Sequence, residues 1–256
     1  MIHQSQCSVI ECLRAGGELF IVRLESLQLA AATRAGQFLN IRTMDGLWGP
    51  LLRRPFSVSN IEGGIVSILF NMVGTGTKIL ASRRAGDLLD VLGPLGKPFN
   101  VSGEFDTALL IGGGVGVAPF PLLTKELRRE GKSISTLLGA RNQHAIYSDG
   151  LLDLHCATEN GSVGMKGNVV QLLEDFLSKH DVARPKIFGC GPTPMLRALS
   201  VFAQERQIPC ELSLEGDMAC GVGICQGCPV ERTGDGKKYA LTCVEGPTFD
   251  CREVRV

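Results

Sequence analysis

The feature that most constrains how this chain can fold is the spacing of four cysteines near its C-terminus. Cys220, Cys225 and Cys228 follow the pattern C-x4-C-x2-C, and Cys243 comes after fourteen further residues. This is the plant-type spacing of a [2Fe–2S] cluster, in which two thiolates bind each iron. A structural zinc site usually shows two close ligand pairs, whereas Cys243 stands alone. The spacing therefore favours a [2Fe–2S] cluster over zinc.

Glycines at 221, 223 and 227 would let the backbone approach a cluster and direct N–H groups at its sulfurs.

The cysteines outside this loop carry less information. Five cysteines lie in no motif, and we expect them to be packing or surface thiols: Cys7, Cys12, Cys156, Cys210 and Cys251.

The first hundred residues alternate short apolar runs with turn signals. The runs are GELFIVRL (17–24), GQFLNIR (36–42), RPFSVSN (54–60), GIVSILFN (64–71) and DLLDVLGP (87–94). Such spacing is typical of short antiparallel strands in a barrel or a sandwich. One stretch, TKILASRR (77–84), predicts a short helix.

The pattern changes beyond residue 105. Apolar strands are predicted at 106–114, 133–141 and 185–192, and helices at 120–131, 168–180 and 193–207. Alternating strands and helices indicate a parallel sheet. From about Glu211 the sequence is rich in cysteine and glycine with little periodicity. We therefore predict an α+β multidomain protein: an antiparallel β-barrel (1–100), an α/β parallel-sheet nucleotide-binding domain (101–210) and a small cluster domain (211–256).

Three segments could bind phosphates or nucleotides. The arginines of RRPFS (53–57) begin a predicted strand, where an arginine can clamp a pyrophosphate. GTGT (74–77) precedes a predicted helix, whose free N–H groups suit a phosphate. LLIGGGVGVAPF (109–120) has the strand–glycine–helix layout of a dinucleotide site without a strict GxGxxG. Taken singly, the first could be a solvated charge, the second a helix cap and the third a tight turn.

The end of the second predicted strand of the α/β domain limits the third assignment. Gly139, Ala140 and Arg141 stand where a dehydrogenase would carry an acidic ribose ligand. The segment is therefore not the dehydrogenase version of the motif. Arg141 would tolerate a 2′-phosphate, so the residues alone leave NAD and NADP open.

Taken in chain order, these motifs resemble a known family. RPFS, GTGT, IGGGVGVAP (111–119) and FGCGPTPML (188–196) are similar to the ferredoxin–NADP reductase superfamily. With MACGVGICQGC (218–228) and TCVEGPTFD (242–250), the whole chain resembles the electron-transfer subunits of class 1B dihydroorotate dehydrogenases.

The resemblance implies a set of binding residues. FAD would be held by Arg54, Pro55, Phe56, Ser57, Asn71, Met72, Val73, Gly76 and Thr77. The nicotinamide nucleotide, expected to be NAD, would meet Gly112, Gly113, Gly114, Gly116, Cys190, Gly191 and Pro192. The cluster would be bound by Cys220, Cys225, Cys228 and Cys243.

The implied function follows from electron counting. A nicotinamide carries two electrons as a hydride and a cluster carries one, so a flavin that does both belongs between them. The resemblance implies an FMN-containing partner that oxidises dihydroorotate in pyrimidine biosynthesis. Its electrons would pass through [2Fe–2S] and FAD to NAD⁺, in a heterotetramer with two copies of each subunit. We assign no catalytic acid or base, because the four histidines are isolated.

Two alternatives stay open at this stage. The same cofactors could serve another partner, such as ferredoxin, sulfide or a hydrogenase. A zinc-stabilised nucleotide-binding regulator without redox activity would instead need paired CxxC motifs and no flavin arginine, and neither is seen.

Composition excludes other classes. Lysines and arginines number 26, as do aspartates and glutamates, and only 5% of residues are aromatic. A neutral, aromatic-poor chain is unsuited to nucleic acid. No apolar run reaches the roughly 18 residues of a membrane span, and no cationic leader precedes an apolar run. We expect a cytoplasmic protein without a membrane span.

Overall fold

A computed structural model describes the chain over residues 2–44, 49–234 and 236–256. Its first part is a closed antiparallel barrel in the order β1-β2-β5-β4-β3-β6. The strands are β1 (His3–Gly16), β2 (Leu19–Glu25), β3 (Phe38–Arg42), β4 (Arg54–Glu62), β5 (Ile65–Asn71) and β6 (Leu88–Leu95). Closure pairs every strand on both sides and leaves no open edge. The predicted antiparallel barrel is thereby confirmed over the sandwich.

Two short helices join barrel strands. Helix α1 (Leu27–Ala32) begins where Ser26 Oγ accepts a hydrogen bond from the N–H of Leu29. Helix α2 (Thr75–Ala81) begins two residues before the predicted start at 77. The reason is local. Gly74, the N-cap residue, has no side chain to cap the helix, and Thr77 Oγ1 instead accepts hydrogen bonds from the N–H groups of Val73 and Gly74 at 2.9 and 3.0 Å.

The second part is an α/β layer around a seven-stranded sheet in the order β10-β9-β8-β7-β11-β12-β15. Its parallel strands are β7 (Thr107–Gly113), β8 (Ser133–Ala140), β9 (Leu154–Thr158), β10 (Met165–Lys166), β11 (Pro185–Cys190) and β12 (Cys210–Ser213). The helices are α3 (Phe120–Arg129), α4 (Val169–Lys179) and α5 (Thr193–Glu205). The predicted parallel-sheet α/β architecture is confirmed.

The cysteine-rich segment leaves this sheet and returns to it. It contains the antiparallel pair β13 (Pro229–Glu231) and β14 (Tyr239–Leu241), and it ends in β15 (Thr248–Asp250). Strand β15 pairs antiparallel with β12, and the N–H of Cys251 donates to the carbonyl of Cys210 at 2.9 Å. Both ends of the segment are therefore anchored at one sheet edge. The division at residues 100/101 and 210/211 stays a prediction.

The barrel and the sheet share one hydrophobic core. Phe188 of β11 is fully buried and meets the rings of Phe99 and Phe105 edge-on, at centroid distances of 5.5 and 5.9 Å. Lys186, also buried, donates to the carbonyl of Asn100 and to the carboxylate of Glu211. These contacts fix the segment that follows the barrel onto the sheet. Within the described ranges, none of the helices has the length and hydropathy of a membrane-spanning helix.

Replacing Phe188 with alanine tests this junction. We expect Phe188→Ala to lower the free energy of unfolding by about 3–5 kcal/mol, because it removes a buried ring and leaves a cavity. Val201→Ala on the exposed face of α5 is the control and should change it by less than about 0.5 kcal/mol. Urea unfolding measures both. Equal effects would show that the Phe188 cluster does not hold the two layers together.

Candidate functional site

The four motif cysteines approach one another in two pairs. The thiol of Cys225 hydrogen-bonds to the sulfur of Cys220, and the thiol of Cys243 hydrogen-bonds to that of Cys228. Across the described residues, no three side chains of His, Cys, Asp or Glu are grouped as they would be around a single metal ion. Two thiol pairs suit a two-iron cluster, in which each iron takes two thiolates, better than one tetrahedral zinc.

The two pairs differ in environment. Burial raises the pKa of Cys220, but the N–H groups of Cys225 and Val222 donate to its sulfur at 3.4 and 3.5 Å and bring that pKa down to about 7. Burial raises the pKa of Cys243 to about 12, and its bond to Cys228 acts in the same direction. In the outer pair, Cys220 and Cys225, the Cys220 thiol therefore ionises easily. In the inner pair, Cys228 and Cys243, the Cys243 thiol would release its proton on binding metal.

Left-handed backbone lets the loop close around the sulfurs. Gly221 and Gly223 have φ values of +74° and +83°, which side chains other than glycine rarely adopt. A Cβ at Gly221 would also lie 2.7 Å from Nδ2 of Asn40. The loop thus passes close against the barrel, with its backbone in contact with a barrel side chain.

Strands β3 and β6 of the barrel support the loop. Asn40, fully buried in β3, donates from Nδ2 to the carbonyl of Cys220 at 3.3 Å. Cys228 and Cys243 form a hydrophobic cluster with Phe38 and Leu95. Cys225 remains exposed. The loop therefore has an inner side on the barrel and an outer side in solvent.

A cavity of about 300 Å³ lies where the barrel, the sheet and the cysteine segment meet. Of the residues predicted to bind FAD, six line it: Pro55, Phe56, Ser57, Asn71, Val73 and Thr77. Of those predicted to bind the nicotinamide nucleotide, Gly116 and Cys190 line it. Its apolar walls and polar Ser57, Asn71 and Thr77 suit a flat ring with polar edges. The fold thus brings together segments that are far apart in sequence.

The two neighbouring arginines have different roles. Arg53 forms a 2.5 Å ion pair with Asp90, and it also donates to that residue's carbonyl at 2.8 Å. It is largely buried and belongs to the barrel. Arg54 donates to the carbonyl of Leu52 and packs against Gly76, where a Cβ would lie 3.5 Å from Cγ of Arg54. Arg54 and Gly76 lie outside the cavity lining but next to each other, and Met72 is also outside it.

The predicted nicotinamide segments meet at the carboxyl edge of the sheet. Gly112 at the end of β7 is paired with Cys190 at the end of β11. A Cβ at Gly116 would lie 2.2 Å from the carbonyl oxygen of Cys190, so the two loops touch through their backbones. A Cβ at Gly113 would lie 2.9 Å from Pro192. Ligands of α/β sheets bind at this edge. Gly112, Gly113, Gly114, Gly191 and Pro192 surround the loop contact without lining the cavity itself.

Sequence reasoning missed the residues at the end of β12 and just after it. Ser213, the last residue of β12, lines the cavity together with Leu214, Glu215 and Gly216. Burial raises the pKa of the Cys190 thiol to about 12, with the Glu215 charge adding to the effect, and burial also raises the pKa of Glu215. The four residues could have been found from their position along the chain, because in a parallel sheet the residues just past one strand lie beside those just past its neighbour.

Comparisons with known proteins show what this chain is similar to. A family model for the iron-sulfur cluster binding domain of dihydroorotate dehydrogenase B matches residues 215–255. The chain is 37% identical over 228 residues to the dihydroorotate dehydrogenase B (NAD(+)) electron transfer subunit of Bacillus pumilus, covering 86% of each. It is 36% identical to the same subunit of Lysinibacillus sphaericus, over 97% of each chain. It is 32% identical to that of Fusobacterium nucleatum, over 98% of each chain.

Solved structures extend the likeness. The NADH-dependent reduced ferredoxin-NADP oxidoreductase, studied for flavin-based electron bifurcation, matches with a TM-score of 0.86 and 29% identity, over 98% of this chain and 90% of that one. Phthalate dioxygenase reductase matches with a TM-score of 0.60 and 16% identity, over 78% and 64%. The second match shows the fold alone.

The different contacts of the two arginines give a paired test. We expect Arg54→Ala to weaken FAD binding at least about tenfold, which corresponds to about 1.4 kcal/mol, because a charged donor to the pyrophosphate is lost. Arg53→Ala should instead lower the free energy of unfolding by about 3–5 kcal/mol, since the buried charge of Asp90 loses its cation and keeps only the neutral amide of Gln4 as a donor. FAD titration of the flavin-free protein and urea unfolding separate the two. Loss of FAD affinity in the folded Arg53 variant alone would reverse the assignment.

Gly116 gives a test of the nicotinamide edge. Gly116→Ala should abolish saturable NADH binding, because the new methyl group would clash with the backbone of Cys190 and Gly191 and separate the loops. Iron content serves as the internal control and should stay near that of the unmodified protein, because the cysteine loop does not contain Gly116. NADH binding is followed by fluorescence titration. Unchanged NADH affinity in a variant with full FAD content would place the nucleotide elsewhere.

Proposed function

The chain belongs to the electron transfer subunits of NAD-dependent dihydroorotate dehydrogenase B, and from that premise we propose how its residues divide the work. The resemblance seen in the motifs is confirmed by relatives that match nearly the whole chain. The chain is thus an oxidoreductase subunit with an iron–sulfur cluster binding region. One observation carries the proposal: the inner cysteine pair packs on the same barrel strand that lines the cavity.

We propose that this subunit holds a [2Fe–2S] cluster, FAD and, transiently, NAD⁺. A flavin exchanges single electrons with a cluster and a hydride with a nicotinamide, which makes it the converter between them. Cys220, Cys225, Cys228 and Cys243 would be the cluster ligands. The nine residues predicted for FAD, from Arg54 to Thr77, and the glycine and CGP segments predicted for NAD keep those assignments.

The chain's own contribution is binding, orientation and the exclusion of water. Ser57 and Asn71 offer hydrogen bonds to the edge of a flat ring, while Phe56 and Phe70 provide apolar walls. Gly116 and Cys190 open the cavity towards the carboxyl edge of the sheet, where a nicotinamide could lie over the ring. Hydride transfer depends on positioning rather than on an acid–base pair, so we assign no catalytic acid or base.

The outer side of the cysteine loop is the side we assign to the partner. Cys225 is exposed, the neighbouring Ile224 is 83% exposed, and Val244 beside Gly223 is 45% exposed. Apolar side chains around the point where electrons would enter are suited to contact with a partner protein. The partner would be an FMN-containing catalytic subunit that oxidises dihydroorotate, in a heterotetramer of two copies of each subunit. All ten cysteines lie within the described residues as free thiols, which supports a cytoplasmic location.

The likeness to a ferredoxin-NADP oxidoreductase favours a second candidate, a reductase subunit that serves a different partner. That match has 29% identity, whereas the relatives among the dihydroorotate dehydrogenase subunits are 32–38% identical to the chain. We therefore keep the dihydroorotate assignment.

A single ligand substitution tests the order of the carriers. In Cys225→Ser we expect electron flow from dihydroorotate to NAD⁺ in the assembled complex to fall at least about 100-fold, because the cluster loses a ligand. NADH should still bleach the flavin absorbance of the isolated subunit under anaerobic conditions. Cys156→Ser, which alters a thiol outside the motif, is the control and should keep both properties.

The outcomes separate clearly. If Cys225→Ser retains dihydroorotate-dependent NAD⁺ reduction, the cluster is not on the path. If NADH no longer reduces its flavin, the cluster lies between nucleotide and flavin, contrary to the proposal. A subunit that stays colourless after reconstitution with FAD, iron and sulfide would overturn the redox function itself.

A further inference from the structure

Strand β3 lies between the cavity and the cysteine loop. Its first residue, Phe38, is paired with Ser57 of β4 on one side and with Leu95 of β6 on the other. Ser57 lines the cavity, and Leu95 packs against the inner cysteines. A row of three neighbouring residues across the barrel therefore leads from the proposed flavin site to the proposed cluster site.

Phe38 belongs to both sites. It is 3% exposed, lines the cavity, and shares a hydrophobic cluster with Cys228 and Cys243. Met218, two residues before Cys220, also lines the cavity and packs against the same cluster. Both residues thus border the cavity and take part in the apolar packing around the inner cysteine pair.

We propose that Phe38 and Met218 form a shared apolar wall, one side chain thick, that positions the two redox sites and keeps water from the inner cysteine pair. This rests on the proposed function, since it requires that the chain bind both groups. The two residues act through their neighbours and are positioning residues rather than catalytic ones.

The physical consequence concerns the reduction potential of the cluster. A four-thiolate [2Fe–2S] centre gains negative charge when reduced, so nearby water or amide dipoles stabilise the reduced form and raise the potential. The N–H of Gly223 donates to Cys243, but a wall of phenyl and thioether groups on the cavity side withholds further stabilisation from Cys228 and Cys243. Cys225, by contrast, is exposed to solvent. The wall therefore keeps the reduction potential of the cluster low.

A residue with only a packing role would affect stability and leave the potential unchanged, so the potential is the deciding measurement. Met218→Gln keeps the length of the side chain and introduces an amide, and because Met218 is only half-buried the variant should fold. Phe38→Leu keeps the wall apolar but thinner. Phe70→Leu is the matched control: Phe70 lines the same cavity and is similarly buried, but it packs in the barrel core away from the cysteines.

The experiment is an anaerobic redox titration of the full-length subunit loaded with FAD and cluster, followed by electron paramagnetic resonance, together with its flavin absorption spectrum. We expect Met218→Gln to raise the cluster potential and also to displace the flavin bands. Phe38→Leu should alter the resonance signal and the flavin bands together. Met218→Leu, which keeps the side chain apolar, should leave the cluster potential and the flavin bands at the values of the unmodified protein. Phe70→Leu should change the flavin bands alone.

Two results would overturn the proposal. An unchanged cluster potential and resonance signal in both Met218→Gln and Phe38→Leu, with altered flavin bands, would assign these residues to the flavin site alone. The same cluster shift in Phe70→Leu would mean that any cavity substitution is transmitted and no wall exists. Failure of the unmodified subunit to bind a cluster is a different result, because it overturns the proposed function first.

Discussion

The contact between the cysteine loop and the barrel is the interaction on which the functional architecture depends. The loop has little structure of its own, apart from the short pair β13 and β14. The barrel supplies the contacts that fix the loop in place: the buried amide of Asn40 donates to the carbonyl of Cys220, and Phe38 and Leu95 pack with Cys228 and Cys243. The barrel therefore positions the part of the loop that carries the inner cysteine pair.

The same contact explains why the segment must end where it began. Residues 211–250 leave the sheet at β12 and return to it at β15, which pairs with that strand. Just before β15, Gly246 and Pro247 pack against Gly96, whose carbonyl accepts a hydrogen bond from Gln37. Because both ends of the segment are fixed to the sheet and its loop is fixed to the barrel, the segment holds the barrel and the sheet together around the cavity.

The sequence predicted the parts of this arrangement that depend on local pattern. Strand alternation, helix periodicity and cysteine spacing are set by neighbours along the chain, so the barrel, the α/β layer and the cluster loop could be predicted. The strand pairing within the barrel could not be predicted, because the pairing of β1 with β6 that closes it joins segments far apart along the chain. Arg53 and Arg54 are identical in type, and only the position of Asp90 separates their roles.

Other residues escaped prediction for the same reason. Phe38 and Leu95 look like ordinary strand residues, and Glu215 looks like the start of a loop. Their importance arises from the far side of the fold, where three segments converge on one cavity. Cys210 and Cys251, expected to be packing or surface thiols, are both buried and lie next to each other, at the start of β12 and just after β15. A hydrogen bond from Cys210 lowers the pKa of Cys251. No periodicity could have indicated that pairing.

The order of the proposed sites in space differs from their order along the chain, and the difference is what the proposed function requires. The segments proposed for the flavin come first in sequence, those proposed for the nicotinamide second and the cysteine segment last, yet the cavity lined by the first lies between the other two. Gly116 and Cys190 reach it from the sheet, and Met218 reaches it from the cysteine segment. A converter between one- and two-electron carriers must contact both without letting them meet. The barrel meets this condition because Phe38 of β3 and Ser57 of β4 line the cavity, while Phe38 and Leu95 of β6 pack with the inner cysteine pair.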